Sequence, residues 1–259
     1  MKIAILGGGN MGGAIAFGAV DQKIVSAADT TISHPKSSLC ERFAQNDYPV
    51  VYTQDNVAAI QGADMVVVAV KPWLAAEVLR QIASTLRPDQ IVVSIVAGIT
   101  LAELAELVGR PLQPIFRVIP NTAVTLGRSA TFACGQNASE TQRKAIDSLF
   151  AALGELFFVD EAQMVAVTAL SSCGIAYAFK YMDAAVTGGM QLGIDRAEAL
   201  RIVIQTMKGA LALLDANQTE PQTEIDKVTT PGGITLRGLA AMEQHGFTQA
   251  VVEGLKASK

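Results

Sequence analysis

Gly7-Gly8-Gly9-Asn10-Met11-Gly12 constrains the fold more than any other stretch of the chain. It satisfies G-x-G-x-x-G, begins directly after the apolar run Lys2–Leu6, and opens a helical pattern through Ala14, Ile15 and Phe17. In that setting the pattern marks the phosphate-binding corner of a doubly wound sheet. Gly7 permits the tight turn, Gly9 lets the backbone approach a pyrophosphate, and Gly12 lets the helix close on the strand. The N–H groups of the first turn and the helix dipole then face an anion. A glycine-rich βα turn that binds nothing has the same local sequence. The strands that follow favour the ligand.

Those strands are read at Thr30–Ser33, Val50–Tyr52, Met65–Val70, Ile91–Val96 and Ile115–Val118, with Ala130–Cys134 and Leu156–Val159 completing the sheet. Uninterrupted runs such as Met65-Val66-Val67-Val68-Ala69-Val70 suit strands covered on both faces, hence a parallel sheet. Helical patterns at Trp73–Leu86, Leu101–Val108 and from Ser139 alternate with them, and Thr100-x-x-Glu103 is a capping box. After Asp160 strand runs stop and long helical patterns follow: Met164–Met190, Arg196–Ala216, Leu236–Gln244 and Thr248–Ala257. Asn217–Gly233, with Pro221, Pro231 and a Gly-Gly pair, reads as a loop. The expected architecture is α/β: a Rossmann-type doubly wound domain over 1–160, then an all-helical domain over 161–259.

Composition removes several function classes. The formal charge is −4 and neither half is basic, which argues against a nucleic-acid or anionic-membrane partner. Cys40, Cys134 and Cys173 are widely spaced, with no C-x-x-C pair, so neither a disulfide framework nor a zinc site is expected. No metal cluster is evident. The start of the chain lacks a signal-peptide or transit-peptide pattern, and a cytoplasmic protein is expected. The uncharged run Ala162–Phe179 contains Gln163, Thr168, Ser171, Ser172 and Gly174, so it reads as a buried helix rather than a membrane span.

A carboxylate at the end of the second strand would grip the ribose 2′-OH of NAD, and its absence leaves room for a 2′-phosphate. With the strand at Thr30–Ser33 the end is Ser33-His34-Pro35-Lys36, without an acid; with it at Ile24–Ala28, Asp29 would follow. The β-branched Thr30-Thr31-Ile32 favours the first register, hence NADPH, with NADH as the alternative. His34 is read either as a phosphate contact or as a solvated loop residue, and His245 as a surface or capping residue. Ala69-Val70-Lys71-Pro72, Ala97-Gly98 and Pro120-Asn121-Thr122 follow strands at the edge where ligands gather, although the turn imposed by Pro72 explains its segment unaided. In the helical half, Thr168–Tyr177 packs small residues into a helix, which permit close helix approach or leave room for a ligand. Pro231-Gly232-Gly233 before a helix exposes backbone N–H groups suited to a carboxylate, and Thr235 adds a hydroxyl. A plain capping loop is the competing account.

Together these segments resemble pyrroline-5-carboxylate reductase over nearly the whole chain. Ile5–Gly12 looks like its cofactor loop; Val70-Lys71-Pro72, Ala97–Thr100 and Pro120–Thr122 keep its order and spacing; Asp226-x-Val228–Thr235 matches its C-terminal signature. The resemblance implies NAD(P)H-dependent reduction of 1-pyrroline-5-carboxylate to L-proline by a homodimer whose helical domains interlock, with a higher oligomer of dimers left open. It implies a cofactor site at Gly7, Gly9, Asn10, Met11, Gly12, Ser33, His34, Asn56, Ala69, Val70, Lys71, Pro72, Ala97, Gly98 and Asn121. Thr235 would hydrogen-bond the imine nitrogen, with Val228, Thr230, Gly232, Gly233, Ile234 and Ser171 near the substrate. The chain departs from the family's usual Ser-Gly-Ser-Gly-Pro-Ala-Tyr with Ser171-Ser172-Cys173-Gly174-Ile175-Ala176-Tyr177, and from its Asn-Arg or Ser-Arg pair with Ser33-His34.

Two rivals are weighed. A β-hydroxyacid dehydrogenase needs a lysine in a G-x-x-x-K setting, but the position after Gly174 is Ala178, with Lys180 two residues on. A non-catalytic dinucleotide-binding regulator would need no Pro-Gly-Gly-x-Thr cradle.

Overall fold

The computed structural model describes residues 1–37 and 41–259, and the chain packs as two compact units, Met1–Ser172 and Cys173–Lys259. Cys40 lies outside the described residues.

The first unit is built on an eight-stranded sheet of order β3-β2-β1-β4-β5-β6-β7-β8. Its strands are β1 (Ile3–Leu6), β2 (Thr30–Ser33), β3 (Val51–Thr53), β4 (Met65–Val68), β5 (Ile91–Ser94), β6 (Ile115–Ile119), β7 (Ser129–Gln136) and β8 (Gly154–Phe158). All neighbours are parallel except β6 and β7. Between the strands lie α1 (Asn10–Asp21), α2 (Glu41–Ala44), α3 (Asn56–Ala59), α4 (Pro72–Ala83), α5 (Leu101–Val108) and α6 (Glu140–Ala151). Every residue of β4 is buried, because alternate side chains enter two apolar layers. Ile3, Ile5 and Val67 pack with residues of α1 and α6 on one face; Ala4, Leu6, Val66 and Val68 pack with residues of α4 and α5 on the other. A strand buried on both faces needs no polar alternation.

The chain runs outward from β1 to β3 in one direction and from β4 to β6 in the other. The crevice between the carboxyl ends of β1 and β4 is therefore the topological switch point, where ligands bind in such sheets. Helix starts follow the sequence closely. Thr100 and Glu103 form the expected capping box on α5, with Glu103 N–H donating to Thr100 Oγ1 at 3.2 Å, and Ser139 with Gln142 does the same for α6. Ser26 caps a short 3₁₀ turn over Ala27–Asp29, so β2 begins at Thr30. That places Asp29 at the start of the strand, away from the glycine loop.

From Glu161 the chain is helical to Gln191: a 3₁₀ turn (Glu161–Gln163), α7 (Met164–Thr168), a π turn (Ala169–Cys173) and α8 (Gly174–Gln191). The strand texture ends at Asp160, whereas the packing divides within this run. The second unit continues with α9 (Arg196–Asn217), α10 (Pro221–Lys227), α11 (Ile234–Gln244) and α12 (Phe247–Lys256). The expected loop over Asn217–Gly233 thus contains a helix. Pro221 occupies its first turn, where a missing N–H costs nothing. The Tyr177 hydroxyl donates to Gly254 O at 3.2 Å, tying α8 to α12.

The buried helix expected around Ala162–Phe179 is not buried within one chain. The run Glu161–Gln191 is long and apolar enough to cross a membrane by length and composition, and its most apolar stretch is 11% buried. Leu170, Phe179 and Leu192 are exposed, as are Ile202, Leu211 and Leu213 of α9. Apolarity was legible in the sequence; what covers it was not.

Candidate functional site

Every residue read as cofactor-facing lies at or just beyond the carboxyl end of a parallel strand, or in the turn entering the next helix. Sheet register brings those ends together: Leu6 stands opposite both Ser33 and Val68, and Val68 opposite Ser94.

The glycine loop is tight where the motif requires it. Gly7 has φ +103, and a Cβ there would lie 2.5 Å from Ala69 O. At Gly12 a Cβ would meet Gly7 O at 2.1 Å and Ala69 Cβ at 2.8 Å. Gly9, the N-cap of α1, has nothing within 4 Å of its would-be Cβ, and no side chain caps the helix. The first turn at Asn10, Met11 and Gly12 is thus left with unfilled donors facing open space, which suits an anion. Sequence reasoning missed Gly8, an x of the motif, whose Cβ would strike Ile32 Cγ2 at 2.7 Å. Its signal was the run of three glycines.

Ser33 is buried, and its hydroxyl donates to Asn56 Oδ1 at 2.7 Å; Asn56 Nδ2 in turn donates to Gln81 Oε1 at 2.9 Å. This relay fixes the ends of β2, α3 and α4 against one another. His34 is clamped to the end of β3: its N–H donates to Thr53 O at 3.1 Å and its C=O accepts from Tyr52 Oη at 2.6 Å. Its Nδ1 accepts from Lys36 N–H at 3.0 Å, and its Nε2 has no hydrogen-bond partner among the described residues. Ala69 and Val70 are half-buried, Lys71 is the N-cap of α4 with its side chain exposed, and Pro72 is the first residue of that helix. Ala97 and Gly98 are exposed beyond β5, with Gly98 at φ +81. Asn121 is buried; its N–H donates to Ser129 Oγ at 3.0 Å and its Oδ1 accepts from Ala123 N–H at 3.0 Å. Thr131 Oγ1 donates to Ser129 Oγ. Ser129 and Thr131, also missed from sequence, hold Asn121.

Ser171 lies in the π turn, its Oγ buried without a hydrogen-bond partner. The next hydroxyl, Ser172 Oγ, donates to Pro120 O at 3.4 Å.

In the second unit, Thr230-Pro231-Gly232-Gly233 is a tight turn closed by Gly233 N–H donating to Thr230 O at 2.8 Å. Gly232 has φ +74, the conformation a glycine accepts without strain. A Cβ on Gly233 would lie 2.7 Å from Thr230 Oγ1. The Gly233 amide is thus spent within the turn and Pro231 has none, so of this loop's backbone donors the Gly232 N–H stays uncommitted. Further uncommitted donors are at the start of α11, which no side chain caps: among them Ile234 and Thr235, both exposed. Among the described residues the Thr235 hydroxyl has no partner. Val228 is exposed too. His245 ends α11, its ring Nδ1 2.8 Å from Ala241 O, as a capping residue.

Comparison with known proteins assigns both halves. Residues 161–259 match the family described as pyrroline-5-carboxylate reductase dimerisation, and residues 2–98 match NADP oxidoreductase coenzyme F420-dependent. The pyrroline-5-carboxylate reductase of Pseudomonas aeruginosa is 35% identical over 260 residues, covering 99% of this chain and 94% of that protein. The chain belongs to the pyrroline-5-carboxylate reductase family. Against pyrroline-5-carboxylate reductase 1 of Dictyostelium discoideum, 33% identical, it spans about half (48%) of that protein's length. The crystal structure of Plasmodium falciparum pyrroline carboxylate reductase with NADP bound superposes with a TM-score of 0.90 at 28% identity, over 100% of this chain and 95% of that one. A nicotinamide cofactor is thus established at the level of the family.

Proposed function

We propose that this chain reduces the C=N bond of 1-pyrroline-5-carboxylate to L-proline with NADPH, as a cytoplasmic homodimer, with 1–160 serving the cofactor and 161–259 the substrate and self-association. Membership of the family over the full chain supports the reaction. The observation that carries the assignment of the chemistry is the uncapped start of α11 beside an unpartnered Thr235 hydroxyl.

The glycine loop fits a dinucleotide: an uncapped helix start, two glycines that no larger residue can replace, and open space above Gly9. Residues Gly7–Gly12, Ser33–His34, Asn56, Ala69–Pro72, Ala97–Gly98 and Asn121 are the proposed holders. When bound, the reduced nicotinamide supplies a hydride to the imine carbon. The chain's residues do the rest. The Ile234 and Thr235 amides, with the helix dipole, take the substrate carboxylate. The Thr235 hydroxyl takes the protonated imine nitrogen, whose charge makes the adjoining carbon the better electrophile; as the C=N π electrons move to nitrogen, the iminium becomes a neutral amine and the hydroxyl holds that N–H in place. Val228, Thr230, Gly232 and Gly233 shape the turn, and Ser171 offers a free hydroxyl. The absence of an acid directly after β2 and the uncommitted Nε2 of His34 favour NADPH. The exposed apolar faces of α8 and α9 favour a homodimer.

Thr235→Ala is expected to leave cofactor affinity unchanged and lower kcat/KM for the imine about ten- to a thousandfold. That corresponds to roughly 1.5–4 kcal/mol from one hydrogen bond strengthened in the transition state. Thr235→Ser recovers most of the activity. An alanine variant as active as wild type overturns the role. The dehydrogenase rival is disfavoured because Lys180, two residues beyond Ala178, is turned by about 200° around the helix.

A further inference from the structure

Arg117, in the middle of β6, is the one charged residue buried in the sheet among the described residues. Its cross-strand neighbours are Ser94 and Cys134, neither of them an acid. Burial, reinforced by Glu161, pushes the Cys134 thiol up to about 11 against the opposing pull of Arg117, so the thiol stays neutral. The counter-charge is Glu161, the first residue of the helical run. Arg117 Nη1 donates to Glu161 Oε1 at 3.4 Å, and the same oxygen accepts the N–H of Leu101, the first residue of α5, at 2.6 Å. Arg117 Nε is buried with no partner. A buried guanidinium with an unfilled donor and one shared acceptor is a poor source of stability. Replacing such a pair by apolar side chains is often neutral or stabilising, whereas removing one partner is costly.

The pair's position suggests another use. Three residues on, just past the end of the same strand, Pro120 O accepts the Ser172 hydroxyl. One strand therefore holds one helical run at two points, Arg117 with Glu161 and Pro120 with Ser172. The points are about 10 Å apart along the strand and about 16 Å along the helix. A single attachment leaves a helix free to roll and slide; two fix both. Between them lie α7 and the first residues of the π turn, Ser171 among them, and beyond Pro120 lies Asn121. We propose that Arg117 and Glu161 are positioning residues whose buried pair sets the origin of the helical run, so that the π turn with Ser171 is presented to the Pro120–Asn121 end of β6. The kinetic arm of this proposal rests on the reductase reading above; its structural arm does not.

The test compares Arg117→Met, Glu161→Leu, both together, Glu161→Gln and Arg117→Lys. Each of the Met and Leu single variants is expected to lower Tm, and the double variant to regain it. The double variant still loses kcat about ten- to a hundredfold, with KM for the imine and Kd for NADPH within about threefold of wild type. Its amide exchange over 164–172, read by mass spectrometry, is faster. Arg117→Lys restores part of kcat. A double variant with wild-type Tm, kcat and exchange overturns the proposal. If it does not fold, the near-isosteric Glu161→Gln decides: lowered kcat and faster exchange support positioning, and unchanged values overturn it. If wild type turns over no imine, the reductase reading fails, and exchange over 164–172 alone decides this one.

Discussion

Replacing Gly9 by valine separates folding from cofactor binding, because the structure gives the two opposite sensitivities at neighbouring glycines. Gly9 has φ −65 and ψ −166, an extended conformation open to any residue, and a Cβ there touches nothing within 4 Å. A side chain at such a position carries no native strain and reduces unfolded-state entropy, a gain of about 0.4–1 kcal/mol for Gly→Ala. At Gly12 a Cβ would lie 2.1 Å from Gly7 O, which is backbone and cannot swing aside. Overpacking of that kind costs about 1–3 kcal/mol or more. Gly9→Val is therefore expected to melt at or slightly above the wild-type Tm. Its NADPH affinity falls at least about a hundredfold, roughly 2.8 kcal/mol at 1.4 per tenfold, because the branched side chain fills the space of a pyrophosphate. Gly12→Ala lowers Tm first, and affinity with it. The assays are thermal melting and titration by NADPH fluorescence. A folded Gly9→Val that titrates like wild type refutes the placement of the loop.

Kinetics with the two cofactors are expected to favour NADPH; an NADH preference above about tenfold in kcat/KM, roughly 1.4 kcal/mol, overturns that choice. Sedimentation at micromolar concentration is expected to give a dimer or a larger assembly of dimers, and a stable, active monomer contradicts the use proposed for the exposed faces of α8 and α9. Hydrogen bonds from Lys227, Thr219 and Asn217 hold the Glu224 carboxyl down at about 2 from its usual 4.5. A carboxylate with a depressed value stabilises the fold above its ordinary value and loses that contribution as pH falls through the lowered one. Wild type is thus expected to exceed Glu224→Gln in Tm above pH 4.5, with the gap closing towards pH 2; a gap that does not vary with pH removes the linkage.

The sheet was largely legible because its strands are buried on both faces. Uninterrupted β-branched runs such as Met65–Val68 have few other uses, and Thr30–Ser33 was found to the residue. Strand ends were less legible: Met65–Val70 was read where β4 stops at Val68, since Ala69 and Val70 are apolar for the sake of the glycine loop and the second apolar layer. The helix at Pro221–Lys227 was missed because a proline breaks a helix or begins one with equal ease, and only the fold of the chain around it says which. The π turn left no mark at all. An extra residue in one turn displaces a 3.6-residue pattern by too little to register in a stretch as uniformly apolar as Met164–Met190.

At the site, what was readable was glycine and what was not was the polar support. Glycines at 7, 12 and 232 are forced by sterics or by positive φ, so the sequence must carry them. The relays Ser33–Asn56–Gln81 and Asn121–Ser129–Thr131 use residue types found on any surface, and only the fold brings them together. The departure at Ser172 shows the same asymmetry. Read as sequence, serine in place of the family's usual glycine adds volume near a substrate. In the structure its hydroxyl is turned to Pro120 O, so the added atom serves the strand instead of crowding the free hydroxyl of Ser171. Ile175 restores a backbone N–H where the family usually has proline, and so lets the helix run past the π turn into α8 with one more donor. Both changes bear on how firmly the helical run is held.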